Sequence, residues 1–481
     1  MRIPKRGSFR IHPRFAWDRS GCSRLKSVAD GVPPFSEHDR AGLPGPAEPA
    51  RREILSLLDQ APEAWPPVWR WVSISRRNAL GLFPAAAYSD MRLDFRSLRQ
   101  SLCVVNDPQS AEEIFGAGAA KFGLTHLHKR MLKPSLGDGL IVAEGDSWKT
   151  QRRAAVRPAH PSSFLQNASL IDPLIQEFVA GLPGEGSPNE ILTALCALSI
   201  DCIAATFFGY RGKIASPDVL DLISRHRRVV ERVDWMDVLG LPPALESGRM
   251  KRARRVAHEL DQRIFFEIQK MKQDREDADM AAGVNDRDFA VSILAGFESV
   301  AVTVNWALAL LAQHPECISE IEAESFRRDE PAPVRAGKPE RAMLTCVLLE
   351  TLRLFPPLPL IYRVPKSDVG LPVGAIRKGT VVCVSPLLMH RHQAHWERPD
   401  SFEPQRWRAD GASYPAFMPF GLGARQCVGM RMGMFLCQEI LSRILQNTAL
   451  QMVPNRIPLP RMGVSLRPQD PISFSFSPQR V

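Results

Sequence analysis

Phe417–Gly433 reads FMPFGLGARQCVGMRMG, a cysteine set behind two glycines and an arginine and followed by a helical pattern. A dinucleotide loop needs G-x-G-x-x-G at the end of a strand, but after Gly421 and Gly423 the third position is Gln426. The Gly-Lys-Ser/Thr of a P-loop is absent. A nucleophilic cysteine needs a base and an orienting group, and no neighbouring histidine provides one. What remains is Cys427 at the start of an amphipathic helix whose apolar stripe is Met430, Met434, Ile440, Leu441, Ile444 and Leu445. That position lowers a thiol pKa, because a helix N-terminus is electropositive and its amides are free to donate. Two glycines let the backbone approach a flat ligand closely, and Arg425 is placed to neutralise an anion. A thiolate held this way is a good axial ligand for haem iron.

The rest of the chain bounds this reading. With 481 residues, 44% apolar and 24% charged, the composition is that of a globular protein. The net charge of +10 favours acidic partners without choosing among nucleic acid, anionic lipid and an acidic protein surface. Eight Lys/Arg crowd the first 26 residues against one acid, Asp18. That arm is open to three readings: a transit peptide, a disordered tail or an upstream start. Residues 31–50 are Pro/Gly-rich and read as a linker, so the expected organisation is a basic arm and linker over 1–50 and one folded body over 51–481. The nine cysteines include no CxxC pair, so neither a zinc site nor a disulfide framework is expected. The uncharged stretch from Ser299 to Pro315 contains Asn305, Gln313 and His314 and reads as a buried helix rather than a membrane span.

Helical patterns dominate: 110–118, 146–157, 172–182, 191–209, the long 287–315, and 339–355. Strand-like pieces are few and late, in 358–364, 379–389 and 463–468. The fold class is mainly α with a small β-sheet region. His390, His392 and His395 imitate a metal site but read as a polar turn, and Met250–Arg255 (MKRARR) reads as a solvated helix face rather than a nucleic-acid patch.

Phe420-Gly421-x-Gly423-x-Arg425-x-Cys427-x-Gly429 resembles the cysteine-ligand loop of the cytochromes P-450, the haem-thiolate monooxygenases. Three further stretches match in order. Glu350-Thr351-Leu352-Arg353, with Phe402, Pro404 and Arg406 downstream, resembles the family's structural triad of Glu350, Arg353 and Arg406; Gln405 stands where an acid is frequent. Trp148 and Arg152 resemble its Trp-x-x-x-Arg helix, which with Arg363 and Arg425 implies a propionate site. Ala295, Gly296, Glu298 and Ser299 resemble its central-helix motif, with serine in place of the usual threonine. Serine keeps the hydroxyl but loses a methyl that shapes the pocket, so retained oxygenation with looser coupling is expected.

The resemblance covers about residues 90–475. It implies a helical triangular prism, with haem b (iron protoporphyrin IX) between the central helix and the Cys427 loop. Cys427 would be the axial iron ligand, with Phe420, Gly421, Ala295 and Gly296 also against the cofactor and Glu298 and Ser299 relaying protons. Leu294, Phe297, Leu360 and Ile361 are expected in the pocket wall. The implied reaction is insertion of one atom of dioxygen into an apolar small molecule. NAD(P)H acts indirectly, through a ferredoxin or flavodoxin and its reductase, since only about fifty residues follow Cys427. The resemblance is to the soluble bacterial members: a cytoplasmic monomer with no membrane anchor and no nucleic acid. The rival classes are a haem-thiolate isomerase or dehydratase, for which a requirement for oxygen and NAD(P)H decides, and a non-enzymatic haem-binding sensor.

Overall fold

Long apolar helical segments leave little chain for strands, and the sheets are correspondingly short. The computed structural model describes residues 55–478, apart from 97–99, 210–211, 243, 274–285, 328–340 and 410–413; at 135, 207–208, 271–273, 286–295 and 326–327 it describes the backbone alone. The expected basic arm and linker, with Cys22, therefore lie outside the described residues.

The helices follow in chain order: α1 Val68–Asn78, α2 Pro108–Phe115, α3 His126–Leu136, α4 Gly145–Val156, α5 Pro161–Phe164, α6 Ala168–Ala180, α7 Leu192–Phe208 and α8 Pro217–Val230. After them come α9 Trp235–Val238, α10 Gly248–Gln273, α11 Asp286–Gln313, α12 Pro315–Arg327, α13 Met343–Leu354, α14 Pro386–Met389 and α15 Met430–Asn447. Side-chain caps set several starts. Asp107 accepts from Ser110 N ahead of α2, Thr125 from His128 N ahead of α3, and Ser216 from Val219 N ahead of α8.

α11 is the central element. Every residue from Val300 to Leu311 is buried, as expected for that uncharged run. It packs on α7, α13 and α15, and Trp306 stacks on Phe355 with ring centroids 4.0 Å apart.

The strands correct the sequence expectation in two ways. Two lie early: β1 Arg92–Arg96 and β2 Ser101–Val105 form an antiparallel pair, Leu93 opposite Val104. With β3 Phe122–Gly123, β5 Ile361–Pro365 and β8 Val381–Val384 they make one sheet, in the order β1-β2-β8-β5-β3. The β2–β8 pairing is parallel and joins distant parts of the chain, so no hairpin signal announced it. The segment 379–389 is strand only to Val384; Ser385 then caps α14, where Pro386 fits the first turn. The remaining strands are β4 Asn189–Glu190, β6 Val369–Leu371, β7 Gly374–Ile376, β9 Thr448–Val453, β10 Pro460–Met462, β11 Leu466–Pro468 and β12 Ser473–Pro478. β10 and β11 pair as a hairpin that reaches α8 and α11.

Candidate functional site

The Cys427 loop is closed by its own backbone. Gly421 N donates to Met418 O, Gln426 N to Gly423 O, and Cys427 N to Phe420 O at 2.9 Å. Gly421 and Gly423 hold φ of +69° and +67°, which favour glycine. At Gly423 a Cβ would lie 1.9 Å from the Phe115 carbonyl oxygen, so this glycine answers a close approach by the end of α2 rather than by a ligand. Gly421 leaves more room, its nearest neighbour being Ile361 Cδ1 at 3.8 Å.

Cys427 is exposed, whereas the other described cysteines are all buried and unpaired. α15 begins three residues later, at Met430, so Cys427 precedes the helix instead of opening it. The helix buries Met432, Leu436, Cys437, Ile440, Leu441, Ile444 and Leu445, while Met430 and Met434 are only half-buried. Burial raises the thiol pKa and outweighs the Gly429 N–H and the Arg152 charge, which lower it. The net direction is the reverse of the sequence expectation: the residue keeps an exposed face, but the protein around the loop takes more hydration from the sulfur than two donors restore.

Around this loop lie three arginines. Arg152 donates to Gln426 O at 2.5 Å, Arg425 to Ala143 O at 2.6 Å, and Arg363 to Tyr362 O at 2.8 Å. Arg425 also stands over the Trp148 ring, 4.7 Å from its centroid, and Arg363 over Phe115 at 5.0 Å. None of the three forms an ion pair with a described carboxylate; Glu144, the acid that acts on Arg363 and Arg425, is held by Lys129 at 2.6 Å. Burial, then Arg425, pull the Arg363 pKa down to about 10. His128, which the sequence reading missed, belongs to this group. Its Nε2 meets Ile141 O at 3.2 Å, and burial together with Arg363 and Arg425 lowers its pKa to about 4.

An accessible sulfur with three carbonyl-tethered guanidinium groups, unpaired with any described carboxylate and beside an indole, is a donor set that would fit a haem, whose two propionates would supply the missing negative charge.

On α11 the acid is not alone. Ser465 Oγ donates to Glu298 Oε1 at 2.5 Å, and Arg467 Nε donates to the same oxygen, so β11 and its turn close over the carboxylate. Ser299 is the exposed residue between Phe297 and Leu311. Its carbonyl accepts from Thr303 Oγ1 at 2.7 Å. α11 runs through Gly296 as unbroken helix, without the local bulge this glycine would permit. A Cβ there would meet Ile203 Cδ1 of α7 at 3.4 Å. Of the expected pocket wall, Phe297 is buried, Leu360 and Ile361 are half-buried, and the side chains of Leu294 and Ala295 lie outside the described residues.

Glu350, Arg353 and Arg406 meet. Arg353 grips the fully buried carboxylate with Nε at 2.9 Å and Nη2 at 2.8 Å, and Arg406 Nε donates at 3.1 Å. Trp407 Nε1 at 2.8 Å and Glu403 N at 2.9 Å complete the shell, two donors that the sequence motifs do not include. Burial alone would raise the Glu350 pKa; Arg353 and Arg406 overcome it and hold the carboxyl below its ordinary value. Gln405, the departure from the family pattern, donates to Glu320 at 3.0 Å.

No group of three or more His, Cys, Asp or Glu able to hold a metal occurs among the described residues. The histidine segment is a turn, as expected, but an interior one. His390 and His392 are fully buried, and His390 Nε2 accepts from Met418 N at 2.9 Å, which ties the segment to the cysteine loop. On α10, Lys251, Arg252, Arg254 and Arg255 are exposed around buried Met250 and Ala253, a solvated face as expected.

A family model described as Cytochrome P-450 matches residues 61–294 and 288–476. Cytochrome P-450 97B2, chloroplastic, of Glycine max is 30% identical over 427 residues, covering 72% of this chain and 74% of that protein. Cytochrome P-450 3A41 of Mus musculus is 28% identical over 396 residues, 72% of this chain and 77% of its own length. Among solved structures, CYP175A1 from Thermus thermophilus superposes with a TM-score of 0.66 at 21% identity, over 85% of this chain and 98% of that one. A six-coordinated cytochrome P-450, also from Thermus thermophilus, gives 0.63 at 22% identity, over 81% and 95%. Among the described residues no helix is long and apolar enough to cross a membrane.

Proposed function

This chain belongs to the cytochrome P-450 family, and from that premise we propose that it is a haem-thiolate monooxygenase acting on a small organic substrate, with electrons from a separate ferredoxin or flavodoxin system. The observation that carries the reading is the pairing of one exposed cysteine with three arginines that lack a carboxylate partner. The chemistry haem b supplies when bound is reductive activation of dioxygen, one atom entering the substrate and the other leaving as water.

This chain's residues take the supporting roles. Cys427 Sγ would ligate the iron from the loop. Arg152, Arg363 and Arg425, with the Trp148 indole, would hold the propionates. Phe420 and Gly421 on one side, and Ala295 and Gly296 on the other, would pack on the macrocycle. Ser299 would hold a proton at Oγ, and Glu298, fixed by Ser465 and Arg467, would replenish it from the β10–β11 side. The Glu350–Arg353–Arg406 triad holds the polypeptide beneath the loop and touches no reacting atom. The net charge of +10 suits an acidic electron donor.

Replacing the ligand tests this reading. Cys427→Ser should abolish the red-shifted Soret band of the reduced carbon monoxide complex and the oxygen-dependent turnover, while circular dichroism keeps the helical signal. Oxygenation that survives in Cys427→Ser, or substrate turnover that proceeds in the parent without oxygen and NAD(P)H, defeats it.

A further inference from the structure

α8 carries a stripe at helical spacing: buried Val219 and Ile223, then half-buried Arg227, with Glu231 one turn further on at the helix end. An arginine on the inner face of a helix has to be compensated by something. The neighbouring charges are accounted for. Glu231 is paired with Arg461 of β10 at 3.2 Å and pressed against Gly463, while Glu298 of α11 is paired with Arg467 of β11. Three arginines thus face two carboxylates, and both carboxylates are taken. Arg227 is the cation left over. It is half-buried and has no hydrogen-bond or ion-pair partner among the described residues. Burial, then Arg467, lower its pKa, and the opposing pull of Glu231 and Glu298, both already engaged by other arginines, does not reverse this. The hairpin engages Glu231 from β10 and Glu298 from β11, through Arg461 and Arg467, which are opposite each other in the register. The surplus charge therefore sits where α8 and this hairpin meet, and the hairpin links that junction to the turn of α11 that holds Glu298 and Ser299.

We propose that Arg227 binds an acidic group of the substrate, so that the substrate is an amphipathic carboxylic acid rather than a wholly apolar molecule. The carboxylate restores neutrality at the α8–hairpin junction and sends the apolar remainder toward Ser299. This rests on the monooxygenase reading for its geometry, and the experiment separates the two.

The haem-loaded protein is titrated with three acids and their methyl esters: dodecanoic acid, abietic acid and 2-naphthylacetic acid. Binding is read from the Soret shift and, independently of the haem, from the change in unfolding temperature. On the framework that binds, the acid should bind about tenfold or more tightly than its ester, equivalent to about 1.4 kcal/mol. Arg227→Gln should bring the acid down to the ester's affinity and leave the ester unchanged; Arg227→Lys should recover part of the preference. The carbon monoxide spectrum of each variant checks that the haem site is intact. Acids that bind no better than esters in the parent protein, three acids that all fail to bind, or unchanged acid affinity in Arg227→Gln would each overturn the proposal. Loss of the thiolate spectrum in the parent protein would instead defeat the proposed function.

Discussion

Two arginine clusters flank the cysteine loop, and they are built to opposite specifications. Around Glu350 the account is closed within the chain: Arg353 and Arg406 share one carboxylate, Arg406 also meets Glu403 at 3.1 Å, and spare donors reach the carbonyls of His390, Pro399 and Ser401. Around Cys427 the account is left open, with Arg152, Arg363 and Arg425 tethered only to carbonyls. The first cluster needs nothing added and serves the fold. The second holds like charges close together, a repulsion that a dianionic ligand of the proposed kind would relieve.

The largest effect should come from breaking the closed cluster. Glu350→Gln strands the buried Arg353 guanidinium, while Arg406 keeps Glu403, and should cost about 3–5 kcal/mol, measured as a fall in the urea midpoint of the apoprotein. A midpoint that barely moved would mean the carboxylate is dispensable and the two clusters alike.

Next in size is the converse test. Arg152→Gln or Arg425→Gln should leave the apoprotein's midpoint unchanged or slightly higher, because a like-charge contact is relieved. Haem affinity, measured by competition with an acceptor apoprotein, should fall about 10- to 100-fold for each lost charge-assisted hydrogen bond. A stability loss like that of Glu350→Gln would erase the distinction.

The smallest effect concerns two histidines. Burial and Arg363 and Arg425 hold His128 near pKa 4, and burial and Arg353 hold His390 near 3, both below the ordinary 6.5. The unfolded chain therefore takes up these protons first, and stability should decline as pH falls from about 6.5 toward 4. His128→Gln should flatten that decline. Filling the open cluster should raise the His128 pKa and leave His390 where it is, as read from histidine C–H resonances with and without haem. Equal movement of both would contradict the contrast.

The parts legible in the sequence are those fixed by spacing on one element or a short segment. Glu350 and Arg353 share a helix turn, and residues 402–406 carry their own pattern. The long uncharged run could be little else than buried helix. What escaped depends on partners brought from far along the chain. Trp407 reaches Glu350, Ser465 and Arg467 reach Glu298, and β2 lies beside β8, all by tertiary packing that local patterns do not encode. The net rise of the Cys427 pKa escaped for the same reason, since burial is set by the whole fold. The histidine segment is the turn its composition suggests; its burial was not legible, because backbone partners from elsewhere in the chain let His390 sit inside as a neutral ring.

Gly423 meets the carbonyl of Phe115 main chain to main chain. A contact of that kind is blind to side-chain identity on the α2 side. Drift at position 115 can change what covers Arg363 without moving the loop, whereas any side chain at 423 must displace one segment or the other. The reach of the cysteine is thus gauged by a stop made of peptide backbone. Substitutions that retune the surrounding pocket inherit a sulfur already set at its depth.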